Sequence, residues 1–195
     1  MNLHEYQAKE LLGQFDLPIL NSKVYFKDIE KIENDIDELN GPPWAVKSQI
    51  HAGGRGAGYF KNSFNGKGGV QIAKDKKEVL EISQSMFENI LVTKQTGKEG
   101  KKVSRIFIEE CCIIKREFYL SLLIDRNNSQ LMLMISSAGG TNIEEVAENN
   151  PDKIYSFHFQ NLNTINLEKN LASKLEINQI QFEDLNTIIK KLVKA

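Results

Sequence analysis

Residues 44–58 read Trp44-Ala45-Val46-Lys47-Ser48-Gln49-Ile50-His51-Ala52-Gly53-Gly54-Arg55-Gly56-Ala57-Gly58. The first seven alternate as a short strand, with Trp44, Val46 and Ile50 on one face and Lys47 and Gln49 on the other. Glycines then crowd the chain at Gly53, Gly54, Gly56 and Gly58. Glycine accepts positive φ and lets a backbone approach a ligand closely. Successive amides in such a loop can form a concave anion nest. Lys47 on the strand and Arg55 in the loop add fixed positive charge. Phosphate binding needs this combination; the competing reading is a plain turn behind a solvated lysine. The loop is not a Walker A motif, because no Gly-Lys-Ser/Thr follows at the required spacing. Nor is it the dinucleotide fingerprint, because Tyr59 stands where a glycine should.

The bulk properties narrow the class. A chain of 195 residues suffices for one two-lobed domain or two small ones. Hydrophobic content of 41% and charged content of 26% are those of an ordinary globular chain. A net charge of −1 argues against a nucleic-acid binder, which carries a basic excess. No apolar run approaches the ~20 residues of a membrane helix. The amino terminus lacks the basic and apolar regions of a signal peptide. The two cysteines are adjacent, Cys111 and Cys112. Adjacent cysteines seldom bridge, and two alone make no zinc site. A reducing cytoplasm is the simplest compartment.

Outward from the central stretch, residues 3–13 are expected to form a helix with Leu3, Tyr6, Leu11 and Leu12 on one stripe. Gly13 and Pro18 end it. Residues 24–26 read as a strand, and 28–39 as a helix burying Ile29, Ile32, Ile36 and Leu39. Gly41-Pro42-Pro43 breaks that helix. A second glycine cluster, Gly66-Lys67-Gly68-Gly69, follows residues 59–65 and suggests a hairpin-like flap with a movable tip. Residues 70–72 read as a strand. Asp75 and Glu78 form a capping box opening a helix to about Asn89, with Val79, Ile82, Met86 and Ile90 buried. Strands are expected at 91–95, 105–110, 117–125, 130–136 and 155–159. In 117–125, Phe118, Leu120, Leu122 and Ile124 share a face. Thr141 and Glu144 read as a second capping box before a short helix. Two more helices are expected, near 168–175 and from Phe182 on, the latter striped by Phe182, Leu185, Ile188, Ile189 and Leu192.

Charged residues bracket one connector. Glu109-Glu110 closes a strand and Arg116-Glu117 opens the next. Such a hinge could hold an adenine by backbone groups and a ribose by a carboxylate, with Cys111-Cys112-Ile113-Ile114 as an apolar wall. Alternatively it is a buried connector whose cysteines act as small hydrophobes. His4, His51 and His158 are scattered, and no nucleophile pattern accompanies them. Asp125-Arg126 reads as an ion pair or turn device, and its spacing suggests no metal site.

Several runs then resemble a known family. They are Met1-Asn-Leu-His-Glu-Tyr-Gln-Ala-Lys-Glu-Leu-Leu12, Val46-Lys-Ser-Gln-Ile-His-Ala-Gly-Gly-Arg-Gly56 and Leu91-Val-Thr-Lys-Gln-Thr-Gly97. To these add Ile108-Glu-Glu, Arg116-Glu-Phe-Tyr-Leu-Ser, Ile124-Asp-Arg, Ser136-Ser-Ala-Gly-Gly140 and Ile143-Glu-Glu-Val-Ala-Glu148. Together they resemble the β subunit of ADP-forming succinate–CoA ligases (succinyl-CoA synthetases). The match covers most of residues 1–155 and thins afterwards. The longer flap at 59–69 is similar to versions from alphaproteobacteria and mitochondria.

The resemblance implies an α+β chain with the ATP-grasp fold, two α/β lobes holding ATP or ADP between them. The smaller lobe would span about 22–101 and the larger about 1–21 plus 102–195. By motif position Lys47 looks like the phosphate-contacting lysine, and Gly54, Arg55 and Gly56 like the phosphate loop. Glu109 and Cys112 look like the adenine hinge, Cys112 acting through its backbone, and Glu117 looks like the ribose carboxylate. The family is a ligase of the tricarboxylic acid cycle. In it ATP phosphorylates a histidine of the partner α subunit, the phosphate passes to succinate, and coenzyme A displaces it. None of the histidines here matches the phosphorylated one, so no residue of this chain is assigned a catalytic role. The compartment implied is the bacterial cytoplasm or the mitochondrial matrix.

Two departures stand out. Ala57 replaces the family's usual lysine after Gly-Gly-Arg-Gly, removing one positive charge. The family's magnesium ligands, on a Glu-Ile-Asn-Pro-type strand and its successor, are expected beyond residue 195. The sequence thus reads as an amino-terminal portion, expected to bind nucleotide without turnover by itself. Two other readings remain open, another ATP-grasp acyl-CoA ligase subunit such as malate–CoA ligase, or a non-catalytic nucleotide-binding or assembly module.

Overall fold

The structure is a computed structural model and describes residues 2–62, 66–159, 167 and 170–195. The chain forms two units, Met1–Gly13 with Pro18–Cys112, and Gln14–Leu17 with Ile113–Ala195.

The first unit runs α1 (Glu5–Gly13), β1 (Ser22–Tyr25), α2 (Ile32–Asp35), β2 (Trp44–Ser48), β3 (Tyr59–Phe60) and β4 (Val70–Ala73). Then come α3 (Lys76–Met86), β5 (Ile90–Val92), β6 (Lys101–Lys102) and β7 (Ile106–Glu110). An antiparallel sheet takes the order β1-β7-β2-β4, and a smaller one the order β3-β5-β6. In the larger sheet Ala45 faces Glu109 and Lys47 faces Phe107. Side chains alternate across a strand. Trp44, Val46, Ile106 and Ile108 therefore enter the core against Met86 and Val79 of α3. Ala45, Lys47, Phe107 and Glu109 are left on the opposite face.

The stretch 28–39 buries Ile29, Ile32, Ile36 and Leu39 as expected, but not as one α-helix. It runs as a 3-10 turn, the short α2 and a second 3-10 turn. Side chains at i and i+3 eclipse in a 3-10 helix. The spacings from Ile29 to Ile32 and from Ile36 to Leu39 are three residues, and they coincide with the tight turns. Each such side chain contributes about 1.5–3 kcal/mol when taken from water.

The second unit contains β8 (Tyr119–Asp125), β9 (Gln130–Ser136), α4 (Ile143–Asn149), β10 (Ile154–Phe159), α5 (Asn170–Lys174) and α6 (Gln179–Lys194). Its antiparallel sheet has the order β10-β9-β8. Leu122, Leu133 and Phe157 lie in register across the three strands, as do Leu120, Ile135 and Tyr155. This face packs on Leu171 of α5 and on Phe182, Leu185 and Ile189 of α6. Arg116 ties the turn after α5 by donating to the carbonyls of Leu175 at 2.8 Å and Glu176 at 2.7 Å. Lys191 of α6 donates to the carbonyl of Asp16 at 2.6 Å.

Several expectations are corrected. The stripe proposed for α1 is not its buried face, since Leu3 and Leu11 are exposed and only Tyr6 of the helix is buried. The helix is held instead by charged residues, described below. α3 ends at Met86, and Ile90 belongs to β5 rather than to the helix. The reason is local, because Glu88 turns to a φ of +62° just past the helix end. The two arms of the flap do not pair with each other. β3 joins β5 and β4 joins β2, in different sheets; residues 63–65 of the proposed tip lie outside the described residues. The second capping box is displaced by one residue. Asn142, not Thr141, caps α4 by accepting the Glu144 amide at 3.3 Å, while the Thr141 hydroxyl donates to the Ala138 carbonyl at 3.0 Å. The strand expected at 117–125 starts at Tyr119, and Ile124 on its expected inner face is exposed. α6 starts three residues before Phe182. Residues 168–169 of the helix expected at 168–175 lie outside the described residues. The connector is not buried, with Ile113 93% and Ile114 63% exposed.

Candidate functional site

On the outer face of the larger sheet, Lys47 rises from β2 beside Glu109 of β7 and beneath Glu5 of α1. Its Nζ donates to Glu109 Oε2 at 2.7 Å and to Glu5 Oε1 at 2.9 Å. Lys9 lies one helical turn beyond Glu5 and pairs with Glu109 from the other side. Arg55 reaches in from the glycine loop. Its Nη2 donates to Glu5 Oε2 at 2.5 Å and its Nη1 to the Ser48 carbonyl at 2.7 Å. Three cations are thus gathered on two carboxylates. The Glu109 side chain is 4% exposed and that of Lys47 17%, so screening by water is weak. The cluster carries a surplus positive charge, which attracts an anion.

The charge states follow from the geometry. Burial by itself would raise the Glu5 pKa, but the hydrogen bonds from Arg55 and Lys47 overcome it and hold the carboxyl at about 2. Burial pushes Lys47 down, while Glu109 and Glu5 together bring it above the usual lysine range. Both groups are therefore ionised at neutral pH. A cavity of about 310 Å³ opens on the same face, lined in part by Tyr6, Lys9, Asn21, Ser22, Val24 and Phe107.

The glycine loop is tied at its base. The Arg55 carbonyl accepts the amides of Gly58 at 3.1 Å and Gly69 at 2.8 Å. The Gly53 amide donates to Gln95 Oε1 at 2.6 Å. Two donors of the expected nest are therefore used within the chain. Gly54 keeps a φ of +70° in open space, a conformation that a side chain would strain. A Cβ on Gly68 would run into the Gly56 carbonyl, so that pair needs glycine for close backbone packing.

His4 and His51 stack beside the loop with ring centroids 3.8 Å apart. Nη1 of Arg105 lies 3.3 Å from Nε2 of His4. Burial first, then the charges of His51, Arg105 and Arg55, lower His4 from 6.5 to about 4. Between those values the unfolded chain binds a proton at this site that the folded chain refuses, so stability falls as pH drops from 6.5 towards 4. His4→Gln is expected to flatten the pH dependence of denaturant unfolding in that window. An unchanged slope would remove His4 as its source.

The structure brings together Lys47, Arg55 and Glu109 among the residues singled out from sequence, with Gly54 and Gly56 in the adjoining loop. Glu109 sits within β7, its carboxylate directed at the two lysines. Cys112 is exposed just past that strand. Burial lifts the neighbouring Cys111 thiol above its usual range. Glu117 belongs to the second unit, where its carbonyl accepts the Gly139 amide at 3.1 Å. Its carboxylate leans over Gly140, whose φ is +66°. Glu5 and Lys9 were not foreseen as site residues. Their signals were a Glu-x-x-x-Lys spacing on a helix otherwise read for its apolar stripe, and a place in the Met1–Leu12 run that resembles the family. Among the described residues, no group of three or more His, Cys, Asp or Glu side chains is placed to hold a metal ion. No helix among them is long and apolar enough to cross a membrane.

The profile of the ATP-grasp domain family matches residues 2–195. The chain belongs to that family. It is similar to the succinate–CoA ligase (ADP-forming) subunit beta of Acidiphilium cryptum, 53% identical over 154 residues that make up 79% of this chain and 38% of that protein. With the Rhodopseudomonas palustris protein of the same name it shares 51% identity over 158 residues, 80% of this chain and 39% of that one. The chain therefore spans about two fifths of the length of these curated relatives. Among solved structures, ACD1 of Ca. Korarchaeum cryptofilum, in complex with coenzyme A, superposes with a TM-score of 0.61 at 18% identity over 98% of this chain and 78% of that one. The ATP citrate lyase of Methanosaeta concilii gives a TM-score of 0.60 at 19% identity over 96% of this chain and 41% of that one. At such identities the likeness is one of fold.

Proposed function

We propose that this chain supplies the nucleotide-phosphate contacts of a succinate–CoA ligase β subunit. The observation that carries the reading is the joining of Lys47 and Arg55 through a single carboxylate, Glu5, in a partly dry and net-positive cluster. These are the two cations that motif position assigns to phosphate, and the similarity to the named ligase subunits supports the same assignment. Lys47 and Arg55 bind and orient the phosphates of ATP or ADP. The Gly54–Gly56 turn lets the backbone come close, and Glu109 fixes Lys47 from below. Cys112 offers backbone groups to the adenine, and the Glu117 carboxylate takes the ribose hydroxyls.

In the wider enzyme, ATP would phosphorylate a histidine of an α subunit, and that phosphate would pass to succinate before coenzyme A displaces it. Phosphoryl transfer depends on neutralising charge on the phosphate oxygens. This chain contributes lysine and arginine to that task. Magnesium would add to that neutralisation; among the described residues no three His, Cys, Asp or Glu side chains gather to hold it.

Calorimetric titration with ATP and with tripolyphosphate tests the reading. Wild-type chain should bind both. Glu117→Gln should weaken ATP by about tenfold, the worth of one charge-assisted hydrogen bond of ~1.5 kcal/mol, and leave tripolyphosphate untouched. Equal losses for both ligands would take Glu117 off the ribose, and absence of binding by wild type would sink the proposal.

A further inference from the structure

The carboxylate of Glu5 is held at both oxygens, one by Lys47 at 2.9 Å and the other by Arg55 at 2.5 Å. Those nitrogens are the ones the proposed function gives to phosphate. A phosphate oxygen and a carboxylate oxygen ask for the same thing, a short charge-assisted hydrogen bond from a cation. They cannot both have it from the same N–H, and Lys47 has one of its three left once Glu109 and Glu5 are served. Glu5 is also placed to yield. It stands in the first turn of a nine-residue helix, outside the strands that carry Lys47 and Glu109. The helix has other attachments, including Lys9 on Glu109 and the buried Tyr6 against Phe26 with ring centroids 6.0 Å apart. Glu5 can leave its cations without the sheet changing.

We infer that Glu5 is an internal anion that polyphosphate displaces from Lys47 and Arg55, so that this residue sets the affinity threshold of the site. The inference rests on the phosphate-binding reading above. Its consequence is selectivity by charge. An anion that takes the N–H groups Glu5 now holds replaces a carboxylate bonded at two points, and a ligand of low charge, such as inorganic phosphate, gains little by the exchange. A tripolyphosphate chain, with several anionic oxygens, can engage both cations and compensate for the lost ion pairs. The low pKa of Glu5 fits the same geometry, since the carboxylate remains ionised down to about pH 2 and competes throughout the range in which proteins are assayed.

Competition and support make opposite forecasts for Glu5→Gln. Glutamine has nearly the same shape and no charge. If Glu5 competes, the fraction of sites open to ligand rises, and apparent affinity rises with it. Tripolyphosphate should then bind about five- to tenfold more tightly, and inorganic phosphate should become measurable. Thermal stability should fall at the same time, because glutamine leaves one acceptor oxygen for the two cations and no negative charge. Tighter binding in a less stable protein is a signature that a purely structural residue does not give. Affinity that falls with stability, or stays level, overturns the inference.

Wild-type protein gives a second measure that needs no variant to fold well. With carbon-13 in the glutamate carboxyl groups, the Glu5 resonance, assigned through Glu5→Asp, should move as tripolyphosphate saturates the chain. A resonance that stays fixed at saturation also overturns the inference. If wild-type chain binds tripolyphosphate and Lys47→Ala weakens it while Glu5→Gln does not tighten it, the inference alone fails. If wild-type chain binds no tripolyphosphate, the phosphate-binding reading fails and this inference goes with it.

Discussion

Glu109→Ala is expected to destabilise the first unit by about 3 kcal/mol, the lower end of what breaking a buried ion pair costs. The carboxylate is 4% exposed and is shared by Lys47 and Lys9. Without it, three cations face Glu5 alone on the surface of the sheet. The lower end applies because the lysine side chains keep partial access to water, 17% for Lys47 and 25% for Lys9. Urea unfolding, with the midpoint and slope read separately, provides the measurement. A second substitution, Lys9→Met, should restore part of the loss by removing one unpaired charge. A loss below ~1 kcal/mol in the single variant would mean that the lysines reach solvent and that the cluster is a surface network of little energetic weight.

Lys47→Ala is expected to weaken ATP, ADP and tripolyphosphate alike by about 1.5–3 kcal/mol, a factor of ten to a hundred. Loss of a contact to a phosphate oxygen should not distinguish nucleoside from bare polyphosphate, and that separates this variant from Glu117→Gln. Lys47 is held protonated by Glu109 and Glu5, so the lost contact is charge-assisted. Lys76→Ala serves as a control for general electrostatics, because Lys76 pairs with Asp37 on an exposed surface. Equal affinity in Lys47→Ala and wild type would leave Lys47 as a structural partner of two glutamates and remove the central residue of the proposed site. Both variants need circular dichroism beside the binding data, since Glu5 and Glu109 would each lose a partner in Lys47→Ala.

What could be read from sequence depended on whether the signal was local. Gln130–Ser136 is the expected strand to the residue, because its unbroken apolar run from Leu131 to Ile135 is bounded by a turn and a polar loop. The four buried apolar residues of 28–39 were also legible. The conversion of their ends to 3-10 turns was written in the three-residue spacings but is invisible to a pattern that treats three and four alike. The apolar stripe of α6 starts later than the helix because the first turn is mostly polar. Asn178 and Gln181 form a reciprocal capping box there, and that pair marks the start of the helix in the sequence. The flap is illegible for another reason. Two glycine clusters suggest a hairpin, but pairing of β3 with β5 and of β4 with β2 is long-range, and no local pattern encodes it. Lys47, Arg55 and Glu109 could be singled out because their motifs are compact. Glu5 and Lys9 approach them from a helix some forty to a hundred residues distant in sequence.

The double acceptance at the Arg55 carbonyl bears on how this chain tolerates changes of length. Gly58 and Gly69 are both pinned to that one oxygen, so the segment between them starts and finishes at a common anchor. A lengthened segment would then extend from a closed base, leaving the Arg55 guanidinium where Glu5 and Ser48 hold it. The entropy of closing such a loop grows only logarithmically, about 0.6 kcal/mol for each doubling. Beyond Lys61, whose amide still donates to the Ile90 carbonyl of β5 at 3.0 Å, the segment is therefore a place to graft a peptide or a spectroscopic tag while keeping the cation cluster in register. Arg55→Lys would keep a charge in the loop but not the planar fork that serves Glu5 and Ser48 together. The oxygen that anchors the graft belongs to the same residue whose side chain the graft must leave undisturbed.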